Sequence, residues 1–475
     1  MRKFAAFASL ILLGGCSLAP KHATPALSTP PEFPPEVSPA GERTGAVDID
    51  WHDFFEDERL LELIATALEN NRDVRISVAR IEEARGAYRI QRADQLPQLD
   101  GSANYTRARL NAAPGGNVAT DNFDVGVAVT SFEIDFWGRV ANLSEAARSR
   151  YFGTIAAERA FRLSLIRDLA SAYITSRSLA EQAESADAAI EARQRALRIA
   201  KLRLDAGVTS ALDFRQAEAL LTQAETQAAS LRNQRALQRN IVRLLVGAPI
   251  IEEELAPARR LADQGIIRSL DAGLPSALLA NRPDIIQAEE ELRAARADVG
   301  AARAAFFPTI SLTGQFGYSS TDLDTLFDGP NRNWNFGPSI NLPIFDWGAR
   351  KGNLTVARAR ETIQVATYEK TVQTAFREVS DALANRRYLA EQIVAQRRAV
   401  EAQRALTRLA QLRYDNGVAA YLEVLDAQRN LFSAEQTLIA LRGSELQSLV
   451  TLYAALGGGL GPPPPLRQGN ADTNQ

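Results

Sequence analysis

Two periodicities alternate along the chain, and each predicts a different kind of element. Residues 154–206 and 353–416 contain no Gly or Pro. At 1.5 Å rise per residue they predict helices of about 80 and about 95 Å. A second helical stretch follows each, 208–246 without a breaker and 418–456 with only Gly443. Within 418–456 a 4-3 spacing picks out Ala427, Leu431, Ala434, Leu438, Leu441, Glu445, Ser448, Leu452 and Ala455, and the positions 210 residues earlier repeat it, from Ala217 and Leu221 to Val242 and Leu245. That is a heptad seam with a polar interruption at one place in both copies. Small residues in a seam let helices approach closely, so long antiparallel helix pairs are expected, hinged at Asp205-Ala206-Gly207 and Asp415-Asn416-Gly417.

Between the helices the period changes from 3.6 to 2. After Pro97, a strand is predicted from Gln98 to Arg107; Phe123, Val125, Val127 and Val129 then alternate with Asp124, Gly126, Ala128 and Thr130. After Pro308, Ile310, Leu312, Phe316 and Tyr318 alternate with polar or small residues, and Trp334, Phe336, Ile340 and Leu342 do the same. Two hairpins result, each of two strands about ten residues long, the length that crosses a bilayer at a tilt. Their tip loops are expected at Leu110–Asn122 and Ser319–Arg332, which are rich in Gly, Asn, Asp and Pro. A half-buried soluble sheet would show the same alternation. Polar and small residues on the second face instead suit a barrel wall with a wet interior. Four strands leave open edges that cannot face lipid, so the chain must share its barrel with other chains.

The chain also repeats itself. Asn70-Asn71-Arg72-Asp73 matches Asn281-Arg282-Pro283-Asp284, Leu96-Pro97-Gln98-Leu99 matches Phe307-Pro308-Thr309-Ile310, and Phe136-Trp137-Gly138 matches Asp346-Trp347-Gly348. Ala206-Gly207-Val208 then matches Asn416-Gly417-Val418, at nearly one offset throughout. The period is too long for a solenoid unit. The expected organisation is a signal peptide over 1–15, a lipid-anchored Pro-rich linker over 16–47, structural repeats over 48–256 and 257–456, and a disordered tail over 457–475. Seven of the 21 prolines fall between Pro20 and Pro39, and four more at 462–465, so the two ends hold eleven of the 21.

Composition narrows the chemistry. One Cys, two His and one Met exclude a disulfide framework and predict no metal site and no cofactor. With 54 basic and 57 acidic residues scattered along the chain, there is no basic footprint for nucleic acid. No phosphate loop or nucleophile elbow is present. His22 lies in the linker, and His52 beside Trp51 reads as structural. Glu82-Glu83 and Glu289-Glu290-Glu291 read as solvated helix faces. The N-terminus is informative: Arg2 and Lys3, the apolar Phe4–Leu13, then Leu13-Gly14-Gly15-Cys16. This is a secretory signal too short to span a bilayer, and it resembles the bacterial lipoprotein box, in which the cysteine becomes the acylated first residue. An ordinary signal with an incidental cysteine is the alternative to it. By the same resemblance, Ser17 favours the outer membrane over the inner one.

Taken in order, the duplicated halves, the two proline-led strand openings, Asn281-Arg282-Pro283-Asp284, Asp346-Trp347-Gly348 and Asn416-Gly417-Val418 followed by Val424-Leu425-Asp426-Ala427-Gln428 resemble the TolC-type outer membrane efflux factors. With Trp51, Leu60-Leu61 and the lipobox, the similarity is to their NodT-type lipoprotein branch. The resemblance covers about 48–456. It implies an α+β membrane protein: a homotrimer whose four strands per chain close a twelve-stranded β-barrel, continued by a long α-helical barrel in the periplasm. It implies conduction rather than catalysis, as the outer membrane exit duct of a tripartite system with a periplasmic adaptor and an inner-membrane RND transporter. A type I protein-secretion duct and a non-channel coiled-coil surface lipoprotein are the alternatives; the lipobox disfavours the first and the hairpins the second.

The site candidates lie where the helices turn. Asp213, Glu423 and Asp426 place carboxylates near the tips, and in a trimer each becomes a ring of three that selects cations and stores repulsion. The resemblance assigns a periplasmic gate to acidic rings and a tyrosine, which map onto Glu423, Asp426 and Tyr414, with Asp213 a weaker match. The basic partner of that gate is unmatched, because Ala419 and Ala420 stand there. Acidic residues in a first helical turn are also favoured by the helix dipole alone. The hairpin tips Gly207, Val208, Gly417 and Val418 are the expected adaptor contacts, and Cys16 the expected lipidation site.

Overall fold

In the computed structural model, residues 17–25, 44–45, 49–112, 116–251, 255–267, 270–271 and 275–460 are described. Cys16 and the signal peptide lie outside them, as does most of the linker. The strands are β1 (Thr44–Gly45), β2 (Asp100–Ala112), β3 (Gly116–Glu133), β4 (Leu270–Asp271), β5 (Thr309–Ser320) and β6 (Arg332–Asn341). The helices are α1 (Trp51–Phe54), α2 (Glu58–Asn70), α3 (Arg72–Ala93), α4 (Arg139–Asp205), α5 (Ala211–Val246), α6 (Pro275–Asn281), α7 (Pro283–Ala304), α8 (Ala349–Asp415) and α9 (Tyr421–Ala455). The helix starts at 139 and 211 recur at 349 and 421, both displaced by 210. Helices α4 and α8 have 67 residues each, about 100 Å. Each therefore begins before the glycines at 153 and 352, which are tolerated inside a long helix at a cost of about 1 kcal/mol.

The chain divides into two compact units. One contains residues 17–25, Ala79–Ala156 and Gln287–Lys370, and with them the four-stranded sheet in the order β2-β3-β5-β6, antiparallel throughout. Pairing in the first hairpin continues to Ala112↔Gly116. The broad loop expected over 110–122 is thus mostly ladder: Asn, Asp and Gly lower strand propensity but do not prevent antiparallel bonding. Arg107 and Tyr105 both reach Asp121 across the pair, at 3.6 and 2.9 Å. The second hairpin opens at Ser320 and Arg332, as the sequence suggested. Strand-to-helix exits are capped by aspartates. Asp135 accepts from the amides of Arg139 and Ala141, and Asp346 from those of Gly348 and Arg350.

The other unit contains Ser28–Val78, Ala157–Ile286 and Thr371–Gln475. Here the seams pack as the heptads require. Leu179, Ala183 and Ala186 of α4 meet Ala228 and Leu231 of α5; in the second repeat Ile393 and Val400 of α8 meet Leu438 of α9. Ala183 and Ala228 stand where the second repeat has Ile393 and Leu438, so the copies fill one layer with different volumes. The start of the first repeat is bound to the end of the second. Phe54 stacks on Tyr453 at 4.1 Å, and the Tyr453 hydroxyl donates to the carbonyls of Ile49 and Gly459. Gly457–Gly459, assigned above to the disordered tail, are accordingly buried. Their small size explains it: a Cβ at Gly459 would stand 2.3 Å from the Ile49 carbonyl oxygen. Among the described residues no helix is long and apolar enough to cross a membrane.

Candidate functional site: the amphipathic sheet and the helix turns

Register divides the sheet into two unlike faces. Residues paired across an antiparallel ladder lie on the same side. The pairs Val127↔Phe316, Val125↔Tyr318, Phe316↔Trp334, Gly314↔Phe336 and Ile310↔Ile340 therefore build one apolar face. The pairs Ser311↔Ser339, Gln315↔Asn335, Gly317↔Asn333 and Asn104↔Asp124 build a polar one. The apolar face is not a core: Trp334 is 72%, Phe336 65% and Ile340 71% exposed. An open apolar face of this extent with a polar reverse side suits lipid on one side and water on the other. Gly126 and Gly317 meet across the polar face so closely that a Cβ on either would lie within 2.8 Å of the opposite backbone. Among the described residues, neither outer edge strand, β2 or β6, has a further partner.

At the tips, each long helix ends in the same left-handed turn. Gly207 and Gly417 both have φ +72°, and the amides of Val208 and Val418 donate back to the carbonyls of Arg203 and Arg413 at 3.0 Å. The two valines that follow are 72% and 66% exposed. Beyond the turns the repeats diverge. Ser210 caps α5 in a reciprocal box with Asp213, whose carboxylate also accepts from the Thr209 hydroxyl at 2.7 Å. The Thr209 bond, reinforced by Ser210, holds the Asp213 carboxyl below its ordinary pKa. Ala419 and Ala420 occupy the equivalent places, and α9 starts without a side-chain cap.

The other candidates have basic partners that sequence reasoning did not name. Glu423 lies 3.4 Å from Arg413 across the turn, and Asp426 lies 2.8 Å from Arg429, one turn on. Tyr414 accepts a hydrogen bond from Arg203 and packs against Tyr421 with ring centroids 4.9 Å apart. That contact joins α4 of the first repeat to α8 of the second. Burial raises the Tyr421 hydroxyl pKa. The Asp426–Arg429 spacing was legible as an i,i+3 pair. Arg203 carried no signal, since its partner is 211 residues away.

A family model described as outer membrane efflux protein matches residues 63–248 and again 274–458, one match for each repeat. The chain belongs to the outer membrane efflux protein family. The toluene efflux pump outer membrane protein TtgI of Pseudomonas putida is 42% identical over 458 residues, 95% of this chain and 97% of that protein. Outer membrane protein OprJ of Pseudomonas aeruginosa is 38% identical over 471 residues, 97% of each. The crystal structure of the open state of the MtrE outer membrane channel of Neisseria gonorrhoeae, 38% identical, superposes with TM-score 0.86 over 94% of this chain and 99% of that one. An efflux protein of the outer membrane accounts for the two-faced sheet: its apolar face meets lipid and its polar face the conducted phase.

Proposed function

We propose that this efflux protein is the outer membrane exit duct of a tripartite RND-type system. The observation that carries the reading is the four-stranded sheet, apolar and exposed on one face, polar on the other, with both edges open. Three copies supply twelve strands, which abolishes the edges and encloses a water-filled lumen. The duct works by passive conduction and not by catalysis; the energy comes from the inner-membrane transporter, to which a periplasmic adaptor connects it at Gly207, Val208, Gly417 and Val418. Acylation of Cys16 anchors the chain to the outer membrane lipid. The relatives' names, toluene and solvent efflux pumps, support small apolar molecules as cargo.

The tip is the gate in this reading. Glu423 and Asp426 lie three residues apart on one face of α9, so a trimer gathers six carboxylates within one helical turn. Arg413, Arg429 and the Arg203–Tyr414 bond oppose their repulsion and hold the tip closed. In planar bilayers, the Asp426→Ala, Glu423→Ala double variant is expected to conduct more per channel than the parent; equal conductance would reject the gate. Detergent-extracted mass tests the duct itself, because a monomer is incompatible with a shared barrel.

A further inference from the structure

Residues 17–25, expected to be the start of a slack linker, lie along α7. The Ser17 hydroxyl donates to Asn142 Oδ1 at 2.9 Å, in the first turn of α4. Arg303 Nη1 donates to the Leu18 carbonyl at 3.0 Å. Ala19 sits so close to Gly300 that a Cβ there would stand 2.8 Å from the Ala19 amide nitrogen and Cα, so the approach requires glycine. Arg296 Nη1 donates to the Ala23 carbonyl at 2.7 Å and lies 3.0 Å from His22 Nδ1. His22 Nε2 lies 3.1 Å from Glu289 Oε1. Burial would raise the pKa of Glu289, but bonds from Arg293 and His22 outweigh it and lower the value. The Glu289–Glu291 run is therefore no solvated face.

The contact positions on α7, 303, 300, 296 and 289, are separated by three, four and seven residues, which makes one stripe on one helix face. They span about 21 Å of helix. The five steps from Leu18 to Ala23 span about 17 Å when extended. Helix and segment thus run side by side, with bonds to backbone carbonyls at both ends of the stretch and a steric notch between. A leash that only had to reach the membrane would need none of these contacts.

We propose that this face of α7 is a seat for the segment that follows the acylated cysteine, so that the lipid anchor is held in place and not merely tethered. The proposal rests on the acylation of Cys16. Ser17, its covalent neighbour, is bonded to the α4 turn that follows β3, and Arg303 precedes β5 by six residues. The acyl group is consequently delivered where the helices meet the strands, and the partner it fits is the acyl layer of the leaflet at that level. Pull on the lipid is transmitted to α7.

Limited trypsinolysis of the full-length protein in detergent tests the seat, with mass spectrometry of the peptide released by cutting after Lys21. The seated backbone must detach before a protease can bind it. Cleavage is expected to be at least tenfold faster in Gly300→Val and in the Arg296→Ala, Arg303→Ala double variant than in the parent, with unchanged detergent-extracted mass. The double variant leaves the helix backbone intact, so it decides the matter if Gly300→Val fails to assemble. Rates within twofold of the parent in an assembled double variant would overturn the seat, as would a parent cut as fast as a free peptide of residues 17–25. The mass of the released peptide reports acylation separately: protection without an acyl group would leave the seat standing and reject the anchor.

Discussion

Single residues at the tips carry roles that composition only half disclosed. Asp213 was read as a ring carboxylate or a cap, and its bonds to Thr209 and Ser210 make it a cap in each chain whatever else it does. Because its pKa is lowered in the folded state, its contribution is fully present above the ordinary carboxylate value of 3.8 and is lost as pH falls below it. Asp213→Asn should accelerate hydrogen exchange in the first turn of α5 at pH 7, and the difference from the parent should shrink as pH falls below the ordinary carboxylate value. Gly417 is held at φ +72° with open space around its α-carbon, so only backbone strain opposes a side chain there. Gly417→Ala should cost about 1–2 kcal/mol, measurable as a lower denaturant midpoint, while Gly352→Ala, in the first turn of α8 and equally open, should stabilise by up to about 1 kcal/mol.

At the scale of elements, the duplication preserves length and changes strength. Helices α5 and α9 differ by one residue in length, 36 against 35, yet only α5 has a side-chain cap. A serine cap is worth about 1 kcal/mol, so α9 frays first. Ala420→Ser should slow exchange of the first α9 amides about fivefold, and an unchanged rate would show that Glu423 already satisfies them. The sequence disclosed the missing basic partner at 419–420 but not its replacements. Arg413 and Arg203 act across a turn and across repeats, and pairings of that separation depend on how the helices are placed, which no local pattern encodes. The first hairpin is longer than its composition suggests for a related reason: the Gly, Asn and Asp content of 110–122 describes single residues, whereas ladder bonding extends as far as both strands remain opposed.

For the whole molecule, the open edges and the exposed apolar face of the sheet make assembly and membrane insertion the terms that decide stability. Phe336→Arg puts a guanidinium on the lipid side near mid-strand, at an expected cost of up to about 2–4 kcal/mol at the bilayer centre. Folded trimer recovered from membranes should fall sharply, whereas Asn335→Asp, one residue along and on the polar face, should be recovered at the parental level. The same face logic limits what a monomer can be: without its neighbours, the sheet has nothing to cover either edge.

Periodicity by itself determined the helix pairs, the two hairpins, the duplication at an offset of 210 and the inside-outside alternation, because each follows from short-range spacing that any copy of the sequence must obey. Tertiary structure alone decided that Arg413 meets Glu423 and Arg203 meets Tyr414 at the tips, that Gly457–Gly459 close against the start of the first repeat, and that residues 17–25 lie along a face of α7 notched by Gly300. Those contacts join positions from 6 to more than 400 residues apart. Their energies depend on close approach of backbones, which is a property of packed helices and not of the order of residues along the chain.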